Sequence, residues 1–419
     1  MQSSKNMCFS WGMCMDYVNL DKLYYKDRST YSAEYEKRFS ADTTIRPDFD
    51  IQGNPAFICQ ADEVYSLIYD ILAQDKAIFA LRMQLPAKAA EQYSRRCLVD
   101  EIVLTNNIEG VHSSRKEIGD ALDILEEQSE NKGRKTVFTG IVKKYRALIS
   151  GEAVSLSTCR DIRTIYDQIV LDEVAGSDRG NIPDGEIFRK GLSELYSPTG
   201  KIIHRGKYPE SEIIRYMDKA LAFLNDSTVN VLIRICVFHY LFEYIHPFYD
   251  GNGRTGRFIL SYCISENLEN LLAFRISAVI RENLSAYYRA FTVCNEPRNL
   301  GDLTPFLIMM LKMIRTASLD LKNTLDENLR RWKNYLSLYD ALNLPDHDSC
   351  KELYDYLVQA SLFSEMGVST GELLALLNIT HNTLKKRLAS FEAAGLLKTG
   401  RNGNKKYYSL DLSLLDRYF

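Results

Sequence analysis

Residues 229–245, V-N-V-L-I-R-I-C-V-F-H-Y-L-F-E-Y-I, are apolar nearly all round. A helix with no face to give to water has to be surrounded by other elements, so this stretch predicts the centre of a bundle rather than its surface. Pro247 stops it. The surroundings are legible as well. From Ala61 onward Val64, Leu67, Ile68, Ile71 and Leu72 recur at the spacing of one buried helix face, and similar patterns cover about 95–126, 135–150, 158–170, 185–195 and 210–225. The expected fold class is therefore mainly α.

Composition narrows the class. With 46% hydrophobic residues and only 22 Gly and 10 Pro in 419, the chain is neither disordered nor collagen-like. No run of about 18 apolar residues is present, which speaks against a membrane span. The N-terminus lacks the apolar core of a secretory leader, so a soluble, cytoplasmic protein is expected. Nine scattered cysteines without a C-x-x-C pair fit reduced thiols better than disulfides or zinc. The net charge of −3 argues against a nucleic-acid coat, although it averages over segments.

The chain divides into an N-terminal segment of unassigned role (1–60), a helical region (61–155), a core (156–315), a connecting helix and linker (316–348) and a C-terminal unit (349–419). The linker is placed at N-L-P-D-H-D-S, Asn343–Ser349. Within the core, Y-S-P-T-G-K-I-I-H-R-G-K-Y-P, Tyr196–Pro209, has turn residues at Pro198 and Gly200 and β-prone Ile202 and Ile203; it predicts a short hairpin.

The chemistry is concentrated just after the central helix, in H-P-F-Y-D-G-N-G-R-T-G-R, His246–Arg257. Gly251 and Gly253 permit a turn that points successive N–H groups into one concavity, and the helix starting near Arg254 adds partial positive charge, so the turn is suited to cradle a polyphosphate. Arg254 and Arg257, three apart, reach the same anion. Asp250 is a hard oxygen ligand of the kind that holds Mg²⁺ when phosphates supply the other ligands. His246 is suited to take a proton from an attacking hydroxyl. Phe248 is expected to anchor the turn in the core. Together these residues predict phosphoryl or nucleotidyl transfer to a hydroxyl.

The stretch resembles the Fic-domain signature H-x-F-x-[D/E]-G-N-G-R-x-x-R at every specified position. The resemblance implies a helical Fic core and transfer of AMP from Mg·ATP to a Ser, Thr or Tyr hydroxyl of a protein target or of the chain itself. His246 would be the base and Asp250 the Mg²⁺ ligand. Gly251, Asn252, Gly253, Arg254, Thr255, Gly256 and Arg257 would form the nucleotide site. A related phosphotransferase subgroup has Lys in place of Gly253, which argues against γ-phosphate transfer here. The hairpin falls where the family has its target-holding flap, with Ile203, His204, Arg205 and Gly206 in it. Y-Y-R-A-F-T-V-C-N, Tyr287–Asn295, is similar to the adenosine-side segment, in which Tyr287 or Tyr288 would pack on the base and Asn295 bond the nucleotide.

T-N-N-I-E-G, Thr105–Gly110, reads locally as a helix end capped by Gly110. It also matches the family's inhibitory pattern [S/T]-x-x-x-E-[G/N], N-terminal to the core, which implies that Glu109 pairs with Arg257 and withholds it from ATP. Removal of AMP by a hydrolytic route is an alternative that the same glutamate would support.

In the C-terminal unit a short helix (368–378), a turn, a second helix from His381 to Ala394 capped by Thr380, and two strands around Arg401–Asn404 read as a winged helix-turn-helix. Between Leu384 and Lys406 seven basic residues face one acidic residue, Glu392, the footprint of a phosphate backbone. DNA contact through 369–406, and with it an ATP-sensing DNA-binding regulator, is the rival expectation. Self-association into a homo-oligomer is left open by the sequence.

Overall fold

The computed structural model describes residues 17–127, 136–196, 199–200, 202–342, 344, 347–403 and 405–418. Two small helices, α1 (Leu20–Lys26) and α2 (Arg28–Ser40), precede a two-stranded ribbon of β1 (Asp50–Ile51) and β2 (Asn54–Pro55). This region is no separate appendage. Tyr17 donates to Asp302 at 2.6 Å, Arg38 pairs with the same carboxylate, and Phe49, Ile51, Ala56 and Ile58 are buried in the common core.

The helices α3 (Asp62–Arg82), α4 (Ala87–Ile108), α5 (Arg115–Glu127), α6 (Thr139–Ser150), α7 (Cys159–Ile169) and α8 (Leu171–Ser177) follow. The break between α4 and α5 comes at Gly110, which adopts φ +74. The hairpin is formed by β3 (Glu194–Tyr196) and β4 (Ile202–Arg205), antiparallel, with Leu195 opposite His204; its turn positions 197, 198 and 201 lie outside the described residues. Then come α9 (Glu210–Leu224), α10 (Val231–Ile245), α11 (Asn252–Asn267), α12 (Asn270–Ala273), α13 (Ile276–Glu282), α14 (Leu284–Asn295) and α15 (Thr304–Ser337). Helix α10 is buried on every side, as its composition requires; twelve of its fifteen residues are buried. Among the described residues no helix is long and apolar enough to cross a membrane.

Two expectations need correction. Residues 185–195 are not helical. The Glu210 carboxylate accepts the amides of Glu186, Ile187 and Phe188, and Asp184 accepts that of Lys190, so side chains satisfy the donors that a helix would have satisfied internally. The apolar spacing reflects burial of Ile187 and Phe188 in a loop. A boundary between 315 and 316 also has no physical counterpart, because α15 runs through it without interruption.

The C-terminal unit contains α16 (His347–Phe363), β5 (Val368–Ser369), α17 (Thr370–Leu377), α18 (His381–Ala393), β6 (Leu397–Asn402), β7 (Lys405–Leu410) and α19 (Leu412–Leu415), with strand order β5-β7-β6. Thr380 caps α18 through Thr383 N, and Leu384, Leu388 and Phe391 are buried as the pattern predicts. Asn343, Pro345, Asp346 and Asn404 lie outside the described residues. Around the linker the unit is docked on the rest: Trp332 donates to Asp355 at 2.8 Å, Tyr354 to the Tyr335 carbonyl at 2.9 Å, and Tyr93 packs edge-on against Phe363.

Candidate functional site

The site begins where α10 ends. His246 takes the left-handed conformation, φ 51 and ψ 63, while its N–H still closes on the Phe242 carbonyl. That unusual backbone turns the chain sharply and leaves the imidazole at the mouth of a cavity of about 230 Å³. The turn is fixed from below. Phe248 is fully buried and stacks on Tyr166 with centroids 3.7 Å apart, and the Asn252 side chain bonds both the N–H and the C=O of Phe248 at 2.9 Å. Asn252 thus clasps the turn, as does Thr255, whose hydroxyl donates to the Gly251 carbonyl.

Gly251 has φ +78, and a Cβ there would lie 2.8 Å from Val170. At Gly253 a Cβ would fall 2.2 Å from Oε1 of Glu109, which shows where that carboxylate sits: directly over the first turn of α11. Glu109 pairs with Arg257 at 2.8 Å. The guanidinium is 1% exposed, and its other donors go to the Thr105 hydroxyl at 2.8 Å and carbonyl at 3.0 Å. One carboxylate and one helix end therefore hold a buried cation. Arg254, also buried, pairs with Glu173. Asp250 is half-exposed and accepts the Gly251 amide through Oδ1; neither it nor Arg254 is among the residues lining the cavity.

The hairpin side is knit to the same point. Arg189, wholly buried, donates to the His246 carbonyl at 2.8 and 3.0 Å and to the Lys207 carbonyl at 2.9 Å. A Cβ at Gly206 would strike Arg189 Nη2 at 2.3 Å, so glycine is what lets the strand end approach. His204 donates Nε2–H to the Tyr244 carbonyl at 2.8 Å, and its ring lies 6.4 Å from that of His246. Ile203 is 59% exposed beside the cavity, and Arg205 pairs with Glu194 at 2.7 Å.

Burial, with the neighbouring His204 and Arg189, lowers the pKa of His246 to about 3, so it is neutral at physiological pH and available to accept a proton. Glu243, three residues earlier, is pushed the other way: burial and then Glu109 raise it to about 8 against the pull of Arg257. One of its carboxylate oxygens has no hydrogen-bond partner. The Arg189 guanidinium is lowered by burial to about 10.

On the far wall α14 contributes Tyr287, Tyr288, Phe291, Thr292 and Asn295. The two tyrosines differ. Tyr287 is 3% exposed with its hydroxyl 2.8 Å from His239 Nε2, whereas Tyr288 is half-exposed. The Asn295 side-chain Oδ1 accepts from the Tyr240 hydroxyl at 2.5 Å. Glu243, Thr105, Glu173 and Arg189 were not expected as site residues. Glu243 was detectable as a lone acid in an apolar run, and Thr105 opens the inhibitory pattern, but Glu173 and Arg189 had no sequence signal because their partners are distant in the chain.

Residues 156–264, from just before α7 to the body of α11, match the model of the Fic/DOC family. The chain is 29% identical over 141 residues to the "probable protein adenylyltransferase" of Aquifex aeolicus, covering 34% of this chain and 39% of that one. It is 27% identical over 178 residues to the protein adenylyltransferase fic-1 of Caenorhabditis elegans, covering 41% and 32%. The chain thus spans about a third to two fifths of the length of these curated relatives. Among solved structures, that of a Fic family protein from Desulfovibrio desulfuricans aligns over 87% of this chain and 98% of its own, with a TM-score of 0.50 at 20% identity, a likeness of fold.

Proposed function

Taking residues 156–264 as a Fic/DOC-family domain, we propose that the chain is a protein adenylyltransferase that moves AMP from Mg·ATP to a Ser, Thr or Tyr hydroxyl of a target protein or of itself, restrained by Glu109. The observation that carries the reading is the Glu109 carboxylate seated between Gly253 and Arg257, 2.8 Å from the guanidinium and in the same cavity as His246. An anion already occupies the position suited to a terminal phosphate of ATP.

In the transfer step the hydroxyl oxygen attacks the α-phosphorus, His246 takes the hydroxyl proton, and pyrophosphate leaves with the bonding electrons. The negative charge of bound phosphates raises the basicity of His246 from its depressed resting value. The α11 amides and Arg254 accept the remaining phosphate charge, and Arg257 joins them once Glu109 withdraws. Tyr288 is the face on which the adenine packs. Asp250 suits Mg²⁺: among the described residues no three metal-ligating side chains cluster, so a cation at this single carboxylate would take its other ligands from the nucleotide. When bound it would neutralise phosphate charge. The β3–β4 hairpin acts as the flap that holds the target's backbone by strand addition.

We read the C-terminal unit as a winged helix. Its basic footprint is divided. Lys398, Arg401 and Lys405 line a cleft against α4 and α5, where Asn402 bonds Asp120 at 2.7 Å, so DNA contact would rest on Lys385, Lys386 and Arg387 of α18 together with Lys406 of β7.

The test is incubation with ATP labelled at the α-phosphate, comparing wild type, Glu109→Gly and Glu109→Gly/His246→Ala. Label that appears in the first variant and vanishes in the second supports the assignment; label from the γ-position, or none with ATP bound, overturns it.

A further inference from the structure

Helix α3 is apolar on two faces. Val64, Leu67, Ile68, Ile71 and Ile78 are buried on the side that packs against α15. On the outer side Tyr65 (44% exposed), Tyr69 (73%), Leu72 (47%), Phe79 (50%) and Met83 (65%) form a second stripe, with exposed Lys76 completing it. Five of the sixteen exposed large hydrophobics among the described residues fall on this one helix and its C-cap. Their positions, 65, 69, 72, 76, 79 and 83, step by four, three, four, three and four, the spacing of a helix–helix seam. Isolated exposed apolar residues need no explanation; a straight stripe about 27 Å long in seam register does.

We propose that this face of α3 pairs, antiparallel, with α3 of a second copy of the chain. The argument for a second copy is the symmetry of the stripe. Its spacing reads the same in both directions, so a two-fold axis near Gln74 brings Tyr65 opposite Met83 of the other copy, Tyr69 opposite Phe79, and Leu72 opposite the Lys76 stem. These are sulfur–aromatic, aromatic–aromatic and aliphatic contacts. Ser66, Ala73 and Ala80 beside the seam are small and exposed, which lets the two backbones approach. A single lysine in an otherwise apolar seam fixes the register, because a shifted pairing would bury its ammonium. The exposed parts of the five apolar side chains amount to roughly 600 Å² per copy, close to the ~800 Å² per partner of a stable interface.

The inference is independent of the transferase reading, and sedimentation of the full chain tests it. The wild type is expected at about twice 48.1 kDa at micromolar concentration, and Tyr69→Glu/Phe79→Glu at 48.1 kDa with an unchanged far-UV spectrum and at least about a hundredfold weaker association. Orientation is read by oxidation. Tyr65→Cys/Met83→Cys should give a covalent dimer, while neither single variant nor the wild type does, since equivalent positions at the ends lie about 27 Å apart in the antiparallel pair. A monomeric wild type at 100 micromolar, a dimer that survives both glutamates, or crosslinking by a single cysteine would each overturn the proposal. A stripe meant for a different protein gives the first of these results.

Discussion

Replacing Glu109 with glycine removes the carboxylate that is ion-paired with Arg257 inside the cavity. The pair is 2.8 Å long; its guanidinium is buried and its carboxylate about a quarter exposed. A hydrogen bond to a charged group in such surroundings contributes about 1.5–3 kcal/mol, and the exposed glutamate argues for the lower end. On the proposed reading ATP has to displace this contact to reach Arg257, so its loss should raise AMP transfer at least about tenfold, the factor that 1.4 kcal/mol gives. The same change leaves a buried cation with two neutral oxygen partners from Thr105. The variant should therefore melt below wild type without nucleotide and regain more stability on adding ATP, because the phosphate restores the lost charge. Label transfer from α-labelled ATP and a melting curve with and without ATP measure both effects. Equal transfer rates together with equal ATP-induced stabilisation would show that Arg257 is not contested, and the autoinhibition argument would fall.

Adding His246→Ala to Glu109→Gly should lower transfer by two or more orders of magnitude with ATP binding retained by calorimetry, as expected for loss of a general base. Thr105→Val removes the hydroxyl that accepts Arg257 Nε, so in the Glu109→Gly background it should weaken ATP binding by about tenfold; unchanged affinity would mean that the carbonyl alone orients the guanidinium. Gly206→Ala drives a methyl into Arg189 and so disturbs the support of His246, with an expected loss of about tenfold in transfer and little change in the far-UV spectrum. Glu243 has a folded-state pKa near 8 against an ordinary 4.5, so the folded chain holds an extra proton between those values. Its contribution is complete below about pH 4.5 and is lost as pH rises through 8. Glu243→Gln should consequently flatten the fall of melting temperature between about pH 4.5 and 8, and parallel curves for the two proteins would refute that sign.

What could be read from the sequence was local. The all-round apolar run of α10, the turn residues after His246, the Thr380 cap and the buried leucines of α18 each carry their instruction within a few neighbours. The loop at 185–195 reads as a helix because Ile187, Phe188, Leu192 and Leu195 fall at helical spacing, while the carboxylate of Glu210 that unravels it is more than twenty residues away. Arg189 is similar: an arginine in a loop, made important only by the carbonyls of His246 and Lys207 that converge on it. The docking of residues 17–60 hinges on Asp302, to which Tyr17 and Arg38 both turn. Such long-range polar contacts leave no period to detect.

Glu109 is the C-cap of α4, a helix of 22 residues. The macrodipole of that helix places about half a negative charge at its last turn, beside the glutamate's own charge, a conflict worth about 0.3–1 kcal/mol. The carboxylate is held there only because the opposite end of another dipole, that of α11, and the Arg257 guanidinium face it. A phosphate reaching the same spot is not tied to the end of α4 and can settle where the field suits it. On the proposed reading the restraint is spring-loaded against itself: the helix that delivers Glu109 also pushes its charge away, which would tilt the exchange toward nucleotide and toward release.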